Sequence, residues 1–130
     1  MKSIKILSIV ALFTFISCSS KKTEKKNNLS PVPILKESYQ PETICDCSDD
    51  GIKILKNIYT IRNQYTDLKE FQNDEKSSKS VSIFRDNWTI VRDKCIKKFA
   101  TKLFQPGPCN NPDKVHELRK KLDALGVRTS

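Results

Sequence analysis

An all-α fold is predicted for residues 44–130 by three features of the sequence. Apolar residues recur at three- and four-residue steps in three separate stretches, strand-type alternation is absent, and the breaks between stretches carry Pro, Gly or polar runs. The expected architecture is a small antiparallel helical hairpin plus a shorter third helix, in one domain of a length that suits a single core.

The first stripe is Ile54, Ile58, Ile61, Tyr65 and Leu68, widened by Ile52, Leu55 and Tyr59, with Ser48, Asp49 and Asp50 where an N-cap and first-turn acids belong. It predicts a helix over residues 49–71. Asn73 to Ser80 holds no apolar residue and reads as the connection of the hairpin. The second stripe, Val81, Phe84, Trp88, Val91, Cys95, Phe99 and Leu103, is flanked by Ile96, Ala100 and Phe104 and predicts a helix over 81–104. Gln105-Pro106-Gly107-Pro108 ends it, because Pro lacks the N–H that the helical ladder needs. Asn111 as N-cap, Pro112 at the first helical position and Asp113 in the first turn open a third helix over 112–125. Its stripe is Val115, Leu118, Leu122 and Leu125, and Gly126 stops it.

The first eighteen residues have a different character. Lys2 and Lys5 precede an apolar run from Ile6 to Ile16, interrupted only by Ser8 and Thr14, and small Ser17 precedes Cys18. A membrane-spanning helix needs about 20 apolar residues, so this shorter run reads as a signal peptide over residues 1–17. Phe15, Ile16, Ser17 and Cys18 resemble the lipobox of bacterial lipoproteins, with Phe15 standing where that class prefers Leu. The resemblance implies diacylglyceryl transfer to the Cys18 thiol, cleavage before Cys18 and, in many bacteria, N-acylation with a palmitate-type chain. Two or three such chains hold a soluble domain on a membrane, since each buried methylene contributes about 0.8 kcal/mol. The competing outcome is ordinary cleavage after Ser19, which would release an unlipidated secreted helical protein.

From Ser19 to Thr43 the chain is polar, charged and broken by Pro31, Pro33 and Pro41, a composition that buries too little apolar surface to offset its ordering entropy. Residues 18–43 are therefore expected to form a lipidated N-terminus and flexible tether. Surface-exported lipoproteins of some Gram-negative groups carry acidic residues just after the acylated Cys. Here Lys21, Lys22, Lys25 and Lys26 follow, so the expectation is a bacterial cell-envelope protein on the outer membrane facing the periplasm.

Setting Cys18 aside leaves Cys45, Cys47, Cys95 and Cys109, an even number that suggests two disulfides in an oxidising compartment. A bridge across one residue is strained, so Cys45 and Cys47 are each expected to reach Cys95 or Cys109. The antiparallel hairpin brings Cys47 near the loop that holds Cys109, and an extended lead-in lets Cys45 run back to Cys95. Cys45 with Cys95 and Cys47 with Cys109 is the favoured pairing. The alternative use of Cys45-Asp46-Cys47 is as a thiol or metal carrier, since two thiolates one residue apart chelate soft ions. Against it, the spacing suits neither a thioredoxin-type site nor common zinc knuckles, and His is absent nearby.

No catalytic set is recognised. His116 is the one His and lies off the apolar stripe of its helix, adjacent Asp49 and Asp50 are better explained by capping, and a phosphate-binding glycine loop is missing. Metal and cofactor are therefore not expected beyond the covalent lipid on Cys18. The formal charge is +9, with 17 basic against 12 acidic side chains from Cys45 onward. Lys94, Lys97, Lys98 and Lys102 follow the back of the second helix, and Arg119, Lys120 and Lys121 cluster on the third. If those faces meet they form a patch for an anionic partner. Nucleic acid is not expected in the envelope; the membrane, an anionic envelope polymer or an envelope protein is. The expected function is a membrane-anchored, noncatalytic binding module, with an immunity or inhibitor lipoprotein as a narrower form.

Overall fold

The computed structural model describes residues 34–129. The expected signal segment, the expected lipidation site at Cys18 and the expected tether through residue 33 lie outside the described residues. Those described form helices α1 (Ile44–Arg62), α2 (Leu68–Asn73), α3 (Glu75–Phe99) and α4 (Pro112–Ala124), with a 3-10 helix over Ala100–Phe104 and no strand. The helical hairpin of α1 and α3 with a shorter α4 agrees with the predicted class. Several boundaries differ, each for a local reason.

Thr43 starts α1 ahead of the expected residue 49. Its hydroxyl accepts from the Asp46 N–H while the Asp46 carboxylate accepts from the Thr43 N–H, a reciprocal capping box that satisfies two orphan donors. Ser48, Asp49 and Asp50 are therefore inside the helix and do not cap it. Downstream, α1 stops at Arg62 instead of running to 71, because two further caps lie in the same stretch. Asp67 accepts from the Glu70 N–H and Glu70 from the Thr66 N–H, which opens α2; Asp74 accepts from the Ser77 N–H, which opens α3. Such carboxylate-to-backbone bonds compete with helix continuation.

The polar connection expected over residues 73–80 is thus mostly helix. Ser77 is fully buried in register with Val81, Phe84, Trp88, Val91 and Cys95, and its hydroxyl lies 2.6 Å from that of buried Tyr65. A count of apolar residues misses a core position held by a hydrogen-bonded serine. At the other end α3 stops at Phe99, not 104. Ala100 takes φ 46°, a conformation rare for a residue with a Cβ, and the chain tightens into the 3-10 turn. That turn sets Leu103 against the core and leads toward Cys109.

Helix α4 begins as expected, with the Asn111 side chain accepting from the Lys114 N–H and Pro112 in the first turn. Gly126 adopts φ 78° beyond its C-terminus, where Val127 N–H reaches Leu122 C=O and Gly126 N–H reaches Asp123 C=O, the Schellman arrangement. Contacts at the two ends define the topology. Cys47 joins Cys95 and Gly51 faces Trp88, so α3 is antiparallel to α1. Asn111 N–H meets Ser48 Oγ at the start of α4 and Arg62 Nε donates to Leu125 C=O at its end, so α4 runs parallel to α1. Leu55, Ile58, Ile61, Val91 and Leu122 fill the core between them.

Arg62 is buried, and its charge is met by carbonyl oxygens. Nε donates to Leu125 C=O and Nη1 to Tyr65 C=O, each at 3.0 Å, while the guanidinium stands 5.5 Å from the Phe71 ring centre. One side chain thereby ties α1 to the ends of α2 and α4.

The last part of the expected tether belongs to the domain. Leu35 and Tyr39 pack on the core and Pro41 is fully buried. Leu35 N–H donates to Asn87 Oδ1, Tyr39 Oη–H donates to Asp50 Oδ2, and Lys98 Nζ donates to the carbonyls of Pro41 and Glu42. Long-range bonds to α1 and α3 supply the ordering energy that composition alone does not promise.

Candidate binding cleft

The disulfides position the site. Cys47 pairs with Cys95 and Cys45 with Cys109, with Cα–Cα distances of 5.9 and 5.1 Å. This reverses the expected pairing, and the early start of α1 is the reason. With both cysteines inside the helix and two positions apart, they point about 200° from one another around its axis. Cys47 falls on the core face with Gly51, Ile54 and Ile58, where it meets the buried stripe of α3 at Cys95. Cys45 turns the other way, toward the loop after the 3-10 helix. All four cysteines of the described residues are bridged, and no group of three or more His, Cys, Asp or Glu side chains among those residues is arranged to hold a metal.

The loop that delivers Cys109 is set by buried Asn110, whose Nδ2 donates to Leu103 C=O at 3.0 Å and Gln105 C=O at 2.8 Å. These bonds satisfy carbonyls left open at the end of the 3-10 helix. The result is a separation between the later half of α3 and the first half of α4, and there a cleft of about 420 Å³ opens. Cys47 and Ser48 of α1 line it, with Trp88, Val91, Cys95 and Ile96 from α3, Leu103 and Phe104 from the 3-10 helix, and Val115 from α4. Four large hydrophobic side chains are exposed among the described residues, and two of them are in this cleft: Ile96 at 42% and Phe104 at 66%. Exposed apolar surface beside a cavity is the general setting in which proteins take up ligands or partners.

The basic side chains lining the cleft are Arg92, Arg119 and His116, and no carboxylate among the described residues lines it. Arg92 Nε pairs with Asp93 Oδ1 at 2.9 Å, and Arg119 Nε donates to Thr129 Oγ1 at 3.4 Å. The polar atoms of the wall already serve the fold: Trp88 Nε1 donates to Thr129 C=O, and Ser48 Oγ accepts from the Asn111 N–H.

The predicted basic residues do not share one surrounding. Lys98 is held on the carbonyls of residues 41 and 42, and Lys121 bonds Glu117 beside the Tyr59 ring. Glu117 also takes Lys114 at 2.8 Å, and its bonds to Lys114 and then Lys121 pull its carboxyl down to about 2. Lys94 is half-buried, and Lys97, Lys102 and Lys120 are exposed. Of the seven, Arg119 alone lines the cleft, where it is joined by Arg92, which the charge pattern did not single out, and by His116. The available signal was the width of the α3 stripe. Ile96 and Phe104 sit beside it and exceed what a single partner helix covers.

No helix among the described residues is long and apolar enough to cross a membrane. Comparison with family models, with curated proteins and with solved structures finds no match to this chain.

Proposed function

We propose that this protein is a lipoprotein of the bacterial cell envelope, anchored through acylated Cys18, whose helical domain is a noncatalytic binding module working through the cleft between α3 and α4. The observation that carries the reading is that cleft, with Ile96 and Phe104 left open to solvent at a cavity in a small, doubly bridged domain. A rigid scaffold favours binding, because a pre-formed cavity loses little conformational entropy when it is filled. The lipobox-like ending at Cys18 and the Lys-rich residues after it support the anchor.

Two measurements test the reading. Intact mass spectrometry of the protein purified from bacterial membranes is expected to show a chain beginning at acylated Cys18, with four thiols appearing only after reduction. An unlipidated chain beginning near Ser20 would remove the anchor, and thiols labelled without reduction would bring back a carrier built on Cys45 and Cys47. A photo-crosslinking side chain placed at Phe104 of the anchored protein is expected to trap an adduct, lipid or protein, that the same group at exposed Lys69 does not. Absence of any adduct at 104 would overturn the binding role.

A further inference from the structure

We infer that the cleft takes a single-chain anionic amphiphile, a free fatty acid, with its carboxylate at Arg92 and Arg119 and its acyl chain toward Leu103 and Phe104. The inference rests on the binding-module reading and names the ligand class.

Three features of the cleft select this chemistry. The first is polarity of layout. Because α3 and α4 run in opposite directions, Trp88 of α3 lies at the same end as Arg119 of α4, where Trp88 Nε1 and Arg119 Nε both bond Thr129, and Arg92 follows one turn further along α3. Leu103 and Phe104 lie at the other end beside Pro112, and Ile96 stands between. Cations along the first part of the cleft, from Arg119 to Arg92, and hydrocarbon at its far end match a carboxylate with a tail. Among the described residues, the bonds of Arg92 and Arg119 use Nε alone, and a guanidinium carries five N–H donors, so donors remain for a bidentate carboxylate.

The second feature is the state of the wall's polar groups. Trp88 Nε1, Ser48 Oγ and Asn110 Nδ2 are engaged with partners inside the fold. A peptide laid in the cleft would bring N–H and C=O groups that these atoms are not placed to satisfy, and unpaired buried polar groups oppose binding. An acyl chain makes no such demand. The third feature is size. A space of about 420 Å³ equals on the order of 14 water volumes at about 30 Å³ each, and a methylene is of similar size, so the cleft holds most of one long acyl chain, the rest lying at the open mouth by Phe104, and not two chains.

Trp88 is the one tryptophan of the chain and lines the cleft, which makes it the reporter. The full protein, anchored in phosphatidylcholine vesicles, is titrated with 9,10-dibromostearate and with its uncharged methyl ester while Trp88 fluorescence is followed. The acid is expected to quench saturably and to bind at least tenfold more tightly than the ester. In the Arg92→Gln/Arg119→Gln protein the two are expected to bind alike. Phe104→Asp, at an exposed position, is expected to abolish quenching without changing the melting temperature. Absence of saturable quenching, or equal binding of acid and ester to the unmodified protein, would overturn the inference. So would displacement of the brominated acid by a peptide with a C-terminal Leu at lower concentration than by stearate, which would assign the cleft to a protein partner. A protein adduct trapped at residue 104 together with failed quenching would remove the fatty acid and leave the binding module standing.

Discussion

Replacing Gly51 by Ala puts two opposed effects on one atom. In a helix interior Ala is favoured over Gly by about 1 kcal/mol, so the substitution would stabilise an isolated α1. In the folded protein a Cβ at residue 51 would stand 2.9 Å from Trp88 Cζ3, inside any ordinary contact. The indole cannot yield freely: Trp88 is 6% exposed and its Nε1 is held on Thr129 C=O at 3.0 Å. Overpacking of this kind costs about 1–3 kcal/mol. A ring shift that loosens the Thr129 bond adds about 1 kcal/mol more. With the helix preference subtracted, Gly51→Ala is expected to destabilise by about 1–3 kcal/mol, and each kcal/mol lowers the melting temperature of a domain this size by roughly 4–8 °C. Thermal unfolding of the oxidised protein followed by circular dichroism measures the shift. In a Trp88→Phe background, where the contacting ring atoms are gone, the same substitution should become stabilising by about 1 kcal/mol, a sign change that isolates the contact. A Gly51→Ala protein that melts at or above the parent temperature would refute the reasoning.

Four other outcomes follow from the same structure. Ala100→Gly is expected to raise the melting temperature, because relief of the φ 46° backbone, worth about 1–3 kcal/mol, exceeds the roughly 0.4–1 kcal/mol of added unfolded-state entropy; calorimetry reads the difference. The disulfides close loops spanning 48 and 64 positions, which makes each worth about 4 kcal/mol by loop entropy and nearly equal. Because Cys47 and Cys95 are buried in the core while Cys109 is exposed, Cys47→Ser/Cys95→Ser should nevertheless cost more in urea titrations than Cys45→Ser/Cys109→Ser. Arg62→Met is expected to destabilise by about 3 kcal/mol, since it strips the charged donors from two carbonyls, and equal urea midpoints for variant and parent would contradict that. Acid dependence should centre in part on Asp74, whose carboxyl is held below the usual range by the Tyr65 hydroxyl and then by the Ser77 N–H. A depressed folded value contributes stability above the unfolded value of about 3.9 and loses it as pH falls through the folded one. Asp74→Asn, which keeps a capping side chain, should therefore lower stability near neutrality and flatten the acid limb of a plot of melting temperature against pH; an unchanged limb would count against the assignment.

The residues explain why some of this was legible in the sequence. Helix α4 follows directly from Asn111-Pro112-Asp113 at one end and Gly126 at the other, because caps act through bonds to their own backbone neighbours. The hairpin follows from stripes such as Ile54–Ile58–Ile61 and Val81–Phe84–Trp88–Val91, whose period already states which face is buried. The start of α1 was present too, in Thr43 and Asp46, but the acids at 49 and 50 offered a rival cap, and choosing between them requires knowing what the preceding residues contact.

The sequence alone therefore determined the helical class, the three apolar stripes, buried in the main though Leu68 is 38% exposed, and the number of cysteines available for bridging, since all of these are local patterns or counts. Tertiary structure decided which cysteines meet, because a two-residue step inside α1 sends Cys45 and Cys47 to opposite faces. It also decided that Ser77 is core, that Arg62 is buried among carbonyls, and that residues 34–43 are held to the domain. The cleft belongs to the same group. Ile96, Phe104, Arg92 and Arg119 are distant in the chain, and only the opposite directions of α3 and α4 and the turn at Ala100 bring them around one space. Local chemistry sets which segments coil, whereas the direction in which coiled segments pack depends on contacts between residues far apart in sequence.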